Sequence, residues 1–389
     1  MKLNLRLSSA RISALVFLLA IFITPILIFA VPKPGFSEVE NKELAKFPTF
    51  SAKTLLNKTF MSGFETYSAD HFPARPQWIE LQTRSLLTIG QKEVNGVYIL
   101  KDRLIEKIDE PEYPEYMANS VMAMKEFAGR FSGSTYLMLA PTAAEIYRQD
   151  LPFGAPTLDE SQVIRSVYDS LKDDLSAVDV YSSMTANRDS GIYYRSDHHW
   201  TSRGAYLGYS APSNQLGFTA IPLDLFDIEH ASHEFRGSLY SKVVYDSIEA
   251  DTIDIYSYPE GPSVTGVSIF TGQEWQEHDG LYFREYLEKK DKYATFLGPN
   301  QPIVTITTDC PTDKELIVFK DSYAHSLAPF LAQHYSKITL VDLRYLVTSF
   351  ENYVDLSEYD QALFCYNVKN FIQEDYIRRV NLTAQKPAE

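Results

Sequence analysis

Cysteine is nearly absent from this 389-residue chain, which holds only Cys310 and Cys365. No C-x-x-C pair and no Cys/His ligand spacing occurs, and this excludes the usual structural zinc sites. The two thiols are either one disulfide of an exported protein or two separate buried thiols, because sequence does not set the distance between their Cα atoms. Positive charge is also in deficit. A net charge of −15 leaves no basic face for a phosphate backbone, so nucleic acid is not an expected partner. Glycine and proline are not enriched, and no internal repeat or low-complexity tract is found. What is there is ordinary core material, 45% hydrophobic with 26 Tyr and 23 Phe. That is enough for one large domain or two of usual size.

One long apolar run stands at the start. Lys2, Arg6 and Arg11 precede residues 12–31, a run of 20 residues without charge. At 1.5 Å per helical residue it spans a bilayer core, and the positive flank favours a cytoplasmic N-terminus with the rest of the chain outside. Cleavage as a signal peptide is the alternative. The run is long for such a segment, however, and Ile28-Phe29-Ala30 is a poor small-x-small site. The expectation is a single-pass anchor in the cell membrane over residues 1–31 and a juxtamembrane linker over 32–50, marked by Pro32, Pro34, Gly35 and Pro48. A folded domain over 51–389 then lies on the extracytoplasmic side.

Periodicity predicts helical structure over residues 51–90, then a turn at Asn95-Gly96 and short strands at 97–100 and 104–105. Strands are predicted at 135–139, 178–181, 315–319, 338–341 and 361–366. Helices are predicted at 117–131, 160–175 and 324–334. Apolar strands alternating with helices imply an α/β fold around a parallel sheet covered on both faces, with ligands at the carboxyl ends of the strands. Residues from about 226 to 300 break the alternation and read as an irregular, partly β insertion.

Two segments carry candidate chemistry. In Lys320-Asp321-Ser322-Tyr323 a buried strand ends, a Ser sits at the turn and a helix follows, which would expose a nucleophile beside backbone N–H groups. Helix capping by Asp321 and Ser322 is the plainer reading. In Asp197-His198-His199-Trp200-Thr201 the acid and His199 are two residues apart, so an extended segment places both on one face. There the carboxylate would orient an imidazole base for a weak hydroxyl nucleophile. An N-capping cluster with aromatic packing is again the alternative. Arg344 and Tyr345 follow the strand at 338–341 and are candidates for sugar binding or charge stabilisation. Asn367 follows the last strand as a candidate oxyanion donor. His325 is a second candidate base, and Gly237-Ser238 a candidate part of a carbohydrate surface.

Asp197-x-His199-Trp200-Thr201 followed by Gly204-Ala205 resembles the D-x-H-W-T…G-A motif of the alginate O-acetyltransferase proteins. The full Asp-His-His-Trp string is similar to the bacterial DHHW family. Asp70-x-Phe72-Pro73-x-Arg75, Asn95-Gly96-Val97-Tyr98, Ala140-Pro141-Thr142 and Val341-Asp342-Leu343-Arg344-Tyr345 extend the likeness over about residues 36–375. The resemblance implies a three-layer SGNH-hydrolase-like fold with a central, mainly parallel sheet and N-terminal helices. It also implies Ser322 as nucleophile, His199 as general base and Asp197 as orienter, with no cofactor and no metal. Lys320 stands where the family pattern has Gly, which puts part of the oxyanion arrangement in question, and Asp321 completes the Asp-Ser pair.

The function so implied is acyl transfer, most simply of acetyl, onto or off hydroxyls of a cell-surface or exported polysaccharide. A membrane-bound O-acyltransferase is the implied donor. Two other readings remain open at this point: a non-catalytic glycan-binding or assembly protein on the same fold, and a metal-dependent phosphoesterase using Asp197-His198-His199 with His230 and His233 as further ligands.

Overall fold

The computed structural model describes residues 8–30 and 34–384. Lys2, Arg6, Val31 and Pro32, all used in reading the apolar run and its linker, lie outside the described residues. The chain divides into two units, one of residues up to 91 together with 241–246, the other of residues 92–240 and 247 onward.

The first unit contains the apolar helix Ser9–Ala30, long enough to cross a bilayer. A short antiparallel ladder pairs Phe36–Ser37 with Lys42–Glu43. Residues 51–90 form three helices, Ala52–Leu56, Thr59–Asp70 and Arg75–Thr88. Lys58 and Ala74 interrupt them with left-handed backbone (φ 65° and 57°), a conformation that ends one helix and lets the next begin at a new angle. Arg75 bonds Glu40 at 2.8 Å and Lys42 bonds Asp70 at 2.6 Å, tying the ladder to these helices.

In the second unit an eight-stranded sheet carries the core. Its strands are β1 (Ser134–Ala140), β2 (Ser176–Ala177), β3 (Val264–Phe270), β4 (Trp275–His278), β5 (Ile303–Thr308), β6 (Glu315–Lys320), β7 (Lys337–Val341) and β8 (Gln361–Asn367). Their order is β4-β3-β5-β7-β6-β8-β1-β2. The pairings from β7 through β2 are parallel, and those from β4 to β7 are antiparallel. Leu316, Ile317, Val318 and Phe319 of β6 are wholly buried, as a central strand covered on both faces requires. The β6-to-β7 connection passes through helix Tyr323–Leu331 in one direction along the sheet, and the β1-to-β2 connection through helix Glu160–Leu171 in the other. Right-handed crossovers therefore place these two helices on opposite faces, the third and first layers of the fold. The reversal falls in the middle of the parallel region, where open α/β sheets leave a crevice at the carboxyl ends.

The structure refines the sequence reading in three places. Residues 226–300 are partly β, as expected, and they also supply β3 and β4 to the sheet's antiparallel edge, where Val267 and Ile269 alternate inward. Within the rest of that segment, Asp227–Phe235 and Asp251–Ser257 pair as a separate hairpin. Strand β5 was unassigned, and it links this edge to β7. The strand expected at 178–181 lies earlier, at Ser176–Ala177, because Tyr181 already begins helix Tyr181–Ala186. Asn95 and Gly96, both with positive φ, make the hairpin turn between Glu93–Val94 and Val97–Ile99. Cys310 and Cys365 are both free.

Candidate active site

Residues 192–201 form a pinched loop. Tyr193 bridges Trp200, and Thr201 N–H donates to Ile192 O at 3.0 Å. Thr201 then caps helix Ser202–Ser210 by accepting from Gly204 N. Gly204 is obligatory here because a Cβ would lie 2.2 Å from Ile192 O. At the loop tip the buried Asp251 carboxylate accepts from Arg195 N at 2.7 Å and Ser196 N at 2.8 Å. The tip is thereby fixed just before the acid of interest.

Asp197 and His199 are brought together, though the segment is a bend and not the extended strand the spacing implied. Asp197 Oδ1 accepts from His199 N at 2.9 Å and lies 2.6 Å from His199 Nδ1, while Oδ2 accepts from Ser238 N at 2.7 Å. Burial alone would raise the Asp197 carboxyl, but His198, His199 and the Ser238 N–H hold it well below the usual carboxylate range. On the far side of the ring, His199 Nε2 lies 2.7 Å from Ser322 Oγ. Asp197, His199 and Ser322 thus form one continuous line of hydrogen bonds, each side chain less than a tenth exposed.

Ser322 sits at the carboxyl end of β6 and heads helix Tyr323–Leu331. Its turn is held by Asp321, whose Oδ1 accepts from Tyr323 N at 2.9 Å. Asp321 Oδ2 accepts from Asn367 N at 2.8 Å, Asn367 Nδ2 at 2.7 Å and Asn370 Nδ2 at 3.1 Å. Asn367 therefore joins β8 to the Ser322 turn through Asp321, using its backbone N–H and one amide N–H. Of the N–H groups at the start of this helix, those of Tyr323, Ala324 and His325 have acceptors. The Ser322 N–H is left without one among the described residues.

Several neighbours escaped sequence reading. Tyr293 stacks on His199 with ring centroids 3.7 Å apart and planes 6° from parallel, and its hydroxyl donates to Ser322 O at 3.0 Å. It comes from the irregular region and no local signal marks it. Trp200 Nε1 donates to Tyr323 O and Ser326 Oγ, and Tyr323 OH donates to His198 O at 2.6 Å. Gly237-Ser238 serve the acid and not a sugar surface: besides the Ser238 N–H, Ser238 Oγ lies 2.7 Å from His198 Nδ1. A Cβ on Gly237 would come within 2.3 Å of Asp197. Burial and the neighbouring His199 pull His198 down to about 4.

Lys320 is fully buried on the other side of the strand end. Its Nζ lies 2.5 Å from His325 Nε2 and 3.3 Å from Asp342 Oδ2. Burial, and then the Lys320 charge, push His325 well below its ordinary range, so its ring is a neutral acceptor for Lys320 and not a second base for Ser322. Arg344 grips Asp342 with two bonds, Nε to Oδ1 at 2.9 Å and Nη2 to Oδ2 at 2.6 Å. Tyr345 is half exposed beside the Arg344 guanidinium. Among the described residues neither Arg344 nor Tyr345 bonds Ser322 or His199.

The ligand atoms of Asp197, His198 and His199 lie within 4.8 Å of one another. Asp197 Oδ1 and His199 Nδ1 stand at a hydrogen-bond distance of 2.6 Å, closer than the roughly 3.3 Å between two ligands of a tetrahedral ion at about 2 Å each. His230 and His233 pair instead with Asp254 and Thr252 on the separate hairpin.

Residues 113–341 match the protein family described as DHHW protein. A crystal structure of a DHHW family protein from Eubacterium siraeum superposes with a TM-score of 0.64 at 23% identity, covering 76% of this chain and 98% of that one. Bacillus cereus PatB1 superposes with a TM-score of 0.61 at 18% identity, covering 72% of this chain and 98% of that one. PatB1 with a sulfonyl adduct gives 0.59 at 18% identity, with 72% and 98% covered. These likenesses establish the fold. No curated protein matches the sequence.

Proposed function

Since this chain belongs to the DHHW family, we propose that it is a membrane-anchored serine enzyme of acyl transfer, acting outside the cytoplasm on hydroxyls of a polysaccharide. The single observation that carries this reading is the unbroken line from Asp197 Oδ1 through His199 to Ser322 Oγ, with links of 2.6 and 2.7 Å. A Ser hydroxyl needs such a base, and the base needs an orienting acid. Ser322 Oγ attacks the carbonyl carbon of an acyl donor while its proton passes to His199 Nε2. The developing oxyanion accepts from the Ser322 N–H at the helix start. Collapse breaks the bond to the leaving oxygen, which takes the proton back from His199, and leaves Ser322 acylated. A sugar hydroxyl then gives its proton to His199, attacks the acyl carbon and departs as the ester, and Ser322 regains its proton. With water in place of the sugar the same site is an esterase. Acetyl is the simplest acyl group. A membrane-bound O-acyltransferase is the proposed donor, and the Ser9–Ala30 helix would hold the two on one membrane.

The test is hydrolysis of p-nitrophenyl acetate by the full chain, Ser322→Ala and His199→Ala. A loss of about a thousandfold or more is expected in each. Mass spectrometry after a sulfonyl fluoride, the reagent class suggested by the sulfonyl adduct of PatB1, should place one sulfonyl group on Ser322. Unlabelled Ser322 together with undiminished turnover in both variants sinks the reading.

A further inference from the structure

We propose that the helix-turn-helix tip at residues 47–61 lies in the headgroup layer of the bilayer crossed by the Ser9–Ala30 helix, giving the chain a second, non-spanning contact with anionic lipid. The proposal rests on reading that helix as an anchor. Leu56 is 84% exposed, Phe50 66%, Met61 54% and Phe47 51%, a concentration of exposed apolar side chains in one short segment of a kind that water-facing proteins seldom leave open. Local hydrogen bonds and one left-handed residue set its shape. Ser51 and Thr54 exchange capping bonds at 3.1 and 2.9 Å, and Lys58 turns the chain with φ 65°, so Leu56 stands at the end of a short helix.

Two observations commit the surface to lipid. First, it begins where the span ends: Phe29, in the last turn of the apolar helix, meets Phe47 with centroids 6.2 Å apart. From Phe47 the contacts run to Phe60, Phe64 and Tyr67, and Phe50 meets Phe60. Second, the charge is opposite to that of the whole molecule. Residues 45–64 contain Lys46, Lys53 and Lys58 and no Asp or Glu, in a chain of net charge −15. Aromatic and aliphatic side chains flanked by lysines suit the boundary between acyl chains and anionic headgroups.

The test uses the full chain, with Cys310→Ser, in vesicles of phosphatidylcholine and phosphatidylglycerol. An environment-sensitive fluorophore is placed at Leu18→Cys or at Leu56→Cys. Nitroxide-labelled lipid should quench both probes at least twofold, and aqueous iodide should quench neither. Replacing Lys53 and Lys58 by Glu should reduce lipid quenching at position 56 and leave position 18 unchanged. Lipid quenching at 18 with iodide quenching at 56 overturns the proposal while leaving the anchor intact. Protection at 56 from both quenchers also overturns it, in favour of a protein cover. No lipid quenching at 18 removes the anchor and the proposal with it.

Discussion

His199 is held on three sides, by the Asp197 carboxylate, the Ser322 hydroxyl and the face of Tyr293. These contacts determine which ring nitrogen carries the proton. With Asp197 ionised, Nδ1–H donates to it and Nε2 is free to accept from Ser322. Asp197→Asn keeps the size of the side chain but allows an N–H to face Nδ1, which favours the wrong tautomer. We expect kcat for acetyl ester hydrolysis to fall by about 10³–10⁴ with an unchanged circular dichroism spectrum; a loss of less than tenfold would mean that Asp197 does not orient the ring. At this scale residue type and spacing limit the options, and Asp197, His199 and Ser322, picked out that way, lie in hydrogen-bond contact. Polar residues are harder to read, because residue type names a donor but not its acceptor. Asn367, a candidate oxyanion donor by sequence, places one amide N–H on Asp321 at 2.7 Å.

The elements that carry the line are held by close packing more than by regular structure. The strand end Lys320-Asp321-Ser322 is pinned by Asn367 from β8, and the Asp197 loop by Ser238 and Gly237. Gly237→Ala would force a Cβ into Asp197 and rotate the carboxylate off His199. The expected outcome is at least a hundredfold loss of turnover, the scale of a misplacement of about 1 Å, with the protein still folded by circular dichroism. Unaltered turnover would show that the loop relaxes freely. Beneath Ser322, Lys320 and Asp342 form a pair with no exposure on either side chain. Asp342→Asn leaves the ammonium without its counter-charge and should lower unfolding stability by about 3–5 kcal/mol in denaturant titration; a change under about 1 kcal/mol would mean that His325, 2.5 Å from Lys320 Nζ, and Asn300, whose Oδ1 accepts from Nζ at 3.5 Å, suffice. Strands β6, β7 and β8 were legible because continuous apolar runs bounded by turns read as buried strands. Strand β5 and the edge pair β3–β4 were not, since their alternation is short and interrupted.

For the molecule as a whole, pH acts through a buried carboxyl that is not part of the Asp197–His199–Ser322 line. Glu160 is fully buried, 2.5 Å from Thr142 Oγ1, and burial raises it to about 7 despite the Thr142 hydrogen bonds. A raised folded value means that the folded state binds this proton more tightly than the unfolded chain. The contribution is fully present below pH 4.5 and is lost as pH rises through about 7, a change of about 3 kcal/mol at about 1.4 kcal/mol per unit. Glu160→Gln should therefore flatten the decline in stability between pH 5 and 7.5 and melt higher than the parent at pH 8. Parallel curves for the two proteins would remove Glu160 as the cause.

Local information by itself determined much of this protein. The apolar run at the start, the alternation of buried strands and helices, the Asn95-Gly96 turn and the two motif segments all follow from neighbours a few residues apart, where periodicity and backbone preference act. What only the tertiary structure decided is which of those segments meet. His199 and Ser322 are 123 residues apart in the chain and 2.7 Å apart in space. Tyr293 enters beside them from a region with no readable pattern. Such distances depend on how β6 and the 192–201 loop pack against common neighbours, a sum over many long-range contacts that no short window of sequence contains.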